Sequence, residues 1–551
     1  NKVVVIVTWG LPRLWRYVEY VVPKIPVKVC GRPSDYVFDD NSVRGYSYSS
    51  TPTIYDALRR NLSNAEIEVV IVGQDTVVTK CDGFKQGGSS STSQLSCIDP
   101  NNTDYRAKLE TDNEVCSLNE DLYNEIIKQQ GQISYSEILK HAEEVIRKYA
   151  DAFLRNRSIN YANPIVVPGA GDFSRYGYRF ESSLENTKFV LMNRLYEVLK
   201  KELPDAVVLD ITHGVNYLPA ITISALSEVV KALYVMYGRP RCLLIVNSDP
   251  VNEDCVTSRI NIVDVLDLDR EGLTFNEVLR NIGAFEGTAV SIQPKPNVTN
   301  IDELRRIRSN DGRIKDLSSK LVNKVGTALE FGALLYVAEK LRSDDFEEFK
   351  QLVINAVKDI EELITRKVSI NVQGKVVVIS RDYAANSDLI LQRMGIDALE
   401  ALRNVIHECS RDGGWYDLDC LSEAIDRLRL PKTAIELFKH EVDTLKEHVN
   451  CINLLIDKGK QCWEAPYEYI YKLTVESSPV NLYRLVKNKE INNYIKDCGE
   501  SSEDAVRCDP NRRNLIAHAG FERTTIHVKY CDNKIFIKYY NKCINKIEQL
   551  I

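Results

Sequence analysis

The sequence predicts an α/β domain, a parallel sheet wound with helices, followed by a mostly α-helical region with short β-hairpins. Three observations carry this reading. Over the first 265 residues a β-branched run repeatedly gives way to a loop of Gly, Thr, Ser or Asn and then to a helical pattern. Beyond Asp302 apolar residues recur at three- and four-residue steps, in stretches long enough to be principal helices. Two alternating runs, "VSINVQGKVVVIS" and "TTIHVKYCDNKIFIKYY", break that pattern and turn at Gln373–Gly374 and Asp532–Asn533.

In order, the predicted strands are residues 3–8, 67–72, 165–167, 206–211, 232–237 and 242–247. Only "GRPR" separates the last two, too little for a crossover helix, so they are expected to pair antiparallel at a sheet edge. Between residues 74 and 163 the pattern lapses into "GFKQGGSSSTSQLSCIDPNNTD" and a helical stretch, 135–156, read as an insertion in the first domain. A boundary is expected at "SIQPKPNVTN", 291–300, where two prolines stiffen the chain. Continuous helices are expected over 318–341 and 431–459.

At 551 residues the chain is too long for one core and is expected to form two to four domains. Its 44% hydrophobic and 27% charged residues are those of an ordinary globular protein. Apolar runs such as "VVVIV" are far shorter than a membrane span, and the expectation is a cytoplasmic protein with no membrane partner. A net charge of −7 argues against a general nucleic-acid coating protein. Residues 511–551 are locally different, with eight Lys or Arg against three acids. Fourteen cysteines include no CxxC pair, so no metal site is expected from their spacing; buried thiols and disulfides both stay open.

Two loops follow predicted strands in a way that suits an anionic ligand. "VVLDITHGVNYLP" sets Thr212, His213, Gly214 and Asn216 between a strand and a helix starting near Tyr217, where backbone N–H groups point outward. "VVVIVTWGLP" sets Thr8, Trp9 and Gly10 just past the first strand. In a doubly wound sheet these loops are neighbours.

At the other end, "RRNLIAHAGF" holds Arg513, Asn514 and His518. RNA carries its own nucleophile, the 2′-hydroxyl, so a metal-free nuclease needs chiefly a proton carrier and a fixed cation. An imidazole moves protons at neutral pH and a guanidinium braces a phosphate in two places. Asn514, four residues before His518, lies on the same helical face and is expected to orient the imidazole. Asp509 and Pro510 read as the N-cap and first helical residue, with Gly520 as the stop. On an ideal helix, residues five apart sit about 140° around, so Arg513 and His518 of one chain are not expected to converge perfectly. His141, His407, His440, His448 and His527 read as structural.

"TWG-P--W----Y" after the first strand, "SSTPTI--AL" at 49–58, "DITHGVNYLP" and "IVNSDP" at 245–250 together resemble the Rossmann-like CARF domain of type III CRISPR-associated proteins. "RRNLIAHAGF" resembles the HEPN ribonuclease motif. Sensor first and nuclease last is the order of CARF-HEPN ribonucleases, and the THG-NY motif is similar to that of an archaeal-type branch. The resemblance implies a CARF-like domain over 1–265, a connector over 266–320 and a HEPN domain over 321–551. It further implies a homodimer or higher homo-oligomer that cleaves single-stranded RNA without metal, at Arg513, Asn514 and His518. Cyclic tetra-adenylate is implied as allosteric activator, held by Thr8, Trp9, Gly10, Ser50, Thr51, Thr212, His213, Gly214, Asn216 and Tyr217. A non-catalytic sensor or scaffold, and an enzyme that degrades the cyclic oligoadenylate, stay as alternatives.

Overall fold

The computed structural model describes residues 2–25, 42–62, 64–81, 97, 103–214, 217–292, 301–456, 462–487, 490–498 and 508–551. The chain divides into two compact units. One comprises Asn1–Gly272, Gly287–Asp311 and Ile354–Leu391; the other comprises Leu273–Glu286, Gly312–Val353 and Gln392–Ile551.

The first unit contains, in chain order, β1 (Lys2–Thr8), β2 (Val18–Val22), β3 (Val43–Ser47), β4 (Glu66–Gln74), β5 (Ile165–Val167), β6 (Gly171–Phe173), β7 (Tyr178–Glu181), β8 (Ala206–Asp210), β9 (Cys242–Ser248) and β10 (Thr257–Asp267). It continues with β11 (Val290–Ile292), β12 (Ser369–Gln373), β13 (Val376–Ser380) and β14 (Tyr383–Ala385). Eight strands form one sheet in the order β3-β2-β10-β9-β8-β1-β4-β5. β1 is almost wholly β-branched and its Val3 to Val7 are buried, as expected of a central strand covered on both faces. It pairs in parallel with β4 on one side and β8 on the other. After β2 and β3, which lie at the far edge, the chain adds β4 and β5 on one side of β1 and then returns to add β8 and β9 on the other. That reversal leaves a crevice at the carboxyl ends of β1 and β8, the place where open α/β sheets bind ligands.

One predicted strand is corrected. Residues 232–237 are the last turns of a 21-residue helix, Tyr217–Tyr237, closed by Gly238 at φ 70°. A short apolar run cannot be told from the tail of a buried helix by periodicity alone. The helix is the crossover between β8 and β9, which are therefore parallel; the antiparallel partner of β9 is β10. By length and hydropathy this helix also meets the criterion for a membrane span, but 56% of its apolar window is buried inside the protein, as in a core helix. The insertion is only partly described. Residues 82–96 and 98–102 lie outside the described residues, and then helices Thr103–Lys128 and Tyr135–Phe153 follow, the second opened by a Ser134/Glu137 capping box. Disulfides Cys81–Cys116 and Cys97–Cys255 tie this region down. The β12–β13 hairpin, expected as an interruption of the helical half, belongs to the first unit, where β13 pairs in parallel with β7. The expected boundary lies largely outside the described residues, since 293–300 are not among them.

In the second unit β15 (Ser410–Arg411), β16 (Trp415–Asp417), β17 (Cys462–Pro466), β18 (Ile526–Cys531) and β19 (Lys534–Tyr539) form a sheet ordered β15-β16-β19-β18-β17. The β18–β19 turn has Asp532 and Asn533 both at positive φ, 51° and 62°, which suits the twist of a tight hairpin. Helix Lys432–Leu455 buries Phe438, Val442, Leu445 and Val449 at helical spacing. The helix expected over 318–341 is broken between Glu330 and Leu334. Gly332 sits there at φ 79°, and a Cβ on it would stand 2.6 Å from the Ala434 carbonyl oxygen, so the break allows a close approach to helix Lys432–Leu455. Disulfides Cys409–Cys420, Cys462–Cys531 and Cys508–Cys543 pair six cysteines of this unit, while Cys451 and Cys498 are free thiols.

Candidate functional site

Each unit presents a candidate site. In the first unit the crevice at the ends of β1 and β8 opens into a cleft of about 460 Å³. Thr212, His213 and Gly214 form one wall, Trp15, Arg16 and Tyr20 another, and Asn247, Ser248 and Asp249 a third. The His213 ring stacks on Trp15 at 4.0 Å. Its Nε2 accepts the Ser50 N–H, the orphan amide of a helix N-terminus, at 3.2 Å and meets the Tyr20 hydroxyl at 3.2 Å. Nε2 is thus an acceptor and the ring is neutral; burial pushes the imidazole below its ordinary range. Asp210, at the end of β8, accepts the Ser50 hydroxyl at 2.5 Å and the Thr212 N–H at 3.0 Å, while burial raises its carboxyl. Gly214 cannot be replaced without movement, because a Cβ would lie 2.3 Å from Pro219 Cγ and 2.7 Å from Thr8 Oγ1.

The sequence-predicted ligand residues divide into two groups. Thr212, His213 and Gly214 reach the cleft. Thr8, Trp9, Ser50 and Thr51 are buried beneath it as supports. Thr8 Oγ1 donates to Asp210 O at 3.4 Å, the Trp9 N–H to Val72 O at 2.7 Å, and the Gly10 N–H to His213 O at 2.8 Å. Thr51 Oγ1 accepts from Ser49 Oγ at 2.9 Å. The Tyr217 hydroxyl turns away to the β5–β6 loop, accepting the Ala170 N–H at 2.7 Å and the Gln74 side-chain amide at 2.9 Å. Asn216 lies outside the described residues. Trp15 and the Asn247–Asp249 tip stood within quoted motifs but were not assigned to the ligand, and Arg16 was passed over; an aromatic and a cation in the loop after the first strand were the available signal.

In the second unit His518 lines a groove of about 400 Å³ with Asn514, Tyr471, Lys472 and Arg523. The helix carrying the motif is short, Arg512–Ala517, and its N-cap is Asn511, whose side chain accepts the Arg513 N–H at 2.9 Å. The expected Asp509–Pro510 start is corrected: an Asx residue two positions later competes successfully for the first free amide. Gly520, at φ 82°, receives the chain after His518 and donates to Leu515 O at 2.8 Å. The His518 Nδ1 is 3.0 Å from Glu441 Oε1, on helix Lys432–Leu455. Glu441, rather than Asn514, is thus the side chain bonded to the imidazole. Asn514 lines the groove with His518 and contributes its backbone oxygen to the His518 N–H at 3.0 Å. Arg513 is exposed and does not line this groove; the guanidinium that does is Arg523, seated 3.3 Å over the Tyr471 ring. The groove also holds Glu468, Glu476 and Glu522, so its charge is mixed. His527 is buried in β18, stacked on Tyr540, and burial pushes it down to about 3.

The first unit thus carries a crevice at the reversal point of a mixed sheet, and the second a groove-facing histidine beside Arg523. In comparisons with known proteins, residues 4–250 match the family "CRISPR system endoribonuclease Csx1, CARF domain", and residues 432–542 match "CRISPR system endoribonuclease Csx1, HEPN domain". An N-terminal CARF domain and a C-terminal HEPN domain are thereby supported. The CRISPR system endoribonuclease Csx1 of Methanocaldococcus jannaschii is 32% identical over 123 residues, 21% of this chain and 24% of that protein. The chain thus spans about a quarter of the length of that relative.

Proposed function

We propose that the chain is a metal-independent endoribonuclease of type III CRISPR defence that cleaves single-stranded RNA and is activated by cyclic tetra-adenylate bound to its first unit. The observation that carries the nuclease reading is His518, held by a buried carboxylate and facing a groove with Asn514 and Arg523. The 2′-hydroxyl attacks the adjacent phosphorus as the imidazole takes its proton, leaving a cyclic phosphate and a 5′-hydroxyl. Arg513 does not share the groove of its own chain, which favours a composite site in which a second copy supplies it across a two-fold axis.

The cleft of the first unit suits a nucleotide. Thr212, Ser248 and Arg16 offer polar groups to a phosphate, and the part-exposed indole of Trp15 lines the cleft beside them. A ring spanning two clefts would couple to the second unit by favouring one arrangement of the dimer. The neutral, doubly occupied Nε2 of His213 is ill suited to acid–base cleavage of that ring, which favours sensing over degradation. The test is RNA cleavage in EDTA with and without the ring, alongside analysis of the ring itself. Ring-stimulated cutting that is lost in His518→Ala supports the proposal; linear adenylate product with no RNA cleavage overturns it.

A further inference from the structure

We propose that Glu441 is the positioning residue for His518: its carboxylate holds the Nδ1 proton and so presents Nε2 to the groove. The inference rests on the nuclease reading above and assigns a part in it to a residue 77 positions upstream of the histidine. Three observations support it. The Glu441 side chain is only 8% exposed, whereas that of His518 is 36% exposed. Among the described residues, no lysine or arginine lies within ion-pair distance of Glu441; His518 is its one such partner. No described residue bonds the His518 Nε2, and the side chain lines the groove.

A carboxylate is costly to bury without a partner, and a purely structural pair would be expected to bury both members. Here the acid is enclosed and the base is open on its far side. Phe438 and Leu445, one turn to either side of Glu441, are buried in the same stripe of helix Lys432–Leu455 and fix the place from which the carboxylate acts. An Nδ1–H bonded to a carboxylate sets the tautomer with Nε2 free, and the negative charge stabilises the imidazolium formed when Nε2 takes the 2′-hydroxyl proton. The O2′–P bond forms as the P–O5′ bond breaks, and the proton on Nε2 is the one returned to the departing 5′-oxygen. Glu441 gains and loses no proton in this sequence. Asn514 lies in the groove and is left free to contact RNA.

The test compares Glu441→Gln, Glu441→Asp and His518→Ala in ring-stimulated cleavage of single-stranded RNA by the full chain, with 15N spectra of the histidine ring nitrogens. Glu441→Gln is expected to lower kcat by about tenfold to hundredfold with KM within about twofold of wild type. Glu441→Asp should recover part of the loss, and the ring spectrum should move from a single Nδ1–H tautomer to a mixture in Glu441→Gln. Unchanged kcat in Glu441→Gln beside an inactive His518→Ala overturns the proposal and leaves the nuclease reading standing. If His518→Ala cuts as well as wild type, the nuclease reading falls, and this inference falls with it. Should Glu441→Gln fail to fold, the tautomer in Glu441→Asp decides: a single Nδ1–H form supports the proposal, and a wild-type rate with a mixed tautomer overturns it.

Discussion

His213 and His518 are the same side chain in opposite settings. His213 has its Nε2 taken by Ser50 and Tyr20 and its face covered by Trp15. His518 has one nitrogen on a carboxylate and the other, without a partner among the described residues, at a groove. The first arrangement removes proton exchange and fixes shape; the second preserves proton exchange and fixes direction. Both residues stand after a strand or helix in a polar loop, so the difference lies in what other segments bring to them.

The largest effect expected from this comparison is on acid stability. His527, like His213, is kept neutral by burial, with its imidazole at about 3 against 6.5 when unfolded. Below pH 6.5 the unfolded chain takes up a proton that the folded chain refuses, so stability is whole above that pH and falls as the pH drops toward 3. For His527 the loss is roughly 3 kcal/mol by pH 4. His527→Phe, which keeps the stack on Tyr540, should flatten the denaturation free energy between pH 6.5 and 4 relative to wild type. An unchanged slope would show that the ring is accessible to protons.

Gly214→Ala probes the other side of the comparison, shape without chemistry. Its Cβ must displace Pro219 or Thr8, and the expected cost is about 1–3 kcal/mol together with loss of ring binding. Full ring affinity in a variant of wild-type stability would mean that the cleft tolerates a different loop. A smaller effect is expected at the groove cations. Arg523→Ala should weaken RNA cleavage about tenfold, chiefly through KM, since Arg523 lines the groove that faces His518. Arg513→Ala should instead lower kcat, as expected of a group brought to the reacting phosphate from the second copy. Equal losses in the same kinetic constant would erase that distinction.

Much of the fold was legible, because β-branched runs such as Val3 to Val7 and apolar stripes such as that of residues 432–455 carry their period in the sequence. Residues 232–237 misled because an apolar run of six has no period of its own. The place of the β12–β13 hairpin was hidden for another reason: its partner strand β7 lies some two hundred residues upstream. At the sites, motif spacing located His518 and the Thr212–Gly214 loop, since those groups act from a single turn of chain. It could not locate Glu441, which bonds His518 from helix Lys432–Leu455, or Arg523, which lines the groove just past the quoted motif. One signal was present: Glu441 interrupts the apolar stripe between Phe438 and Leu445, where a carboxylate has no place without a partner. Disulfide pairing was not readable at all, since a cross-link such as Cys97–Cys255 joins residues 158 positions apart.

The division of labour between the two units is tested most directly by measuring, on wild type and His518→Ala side by side, both the binding of cyclic tetra-adenylate and the rate of single-stranded RNA cleavage with the ring present. The account predicts equal ring binding in the two proteins and cleavage only in the wild type. Ring-stimulated cleavage that persists in His518→Ala would contradict it.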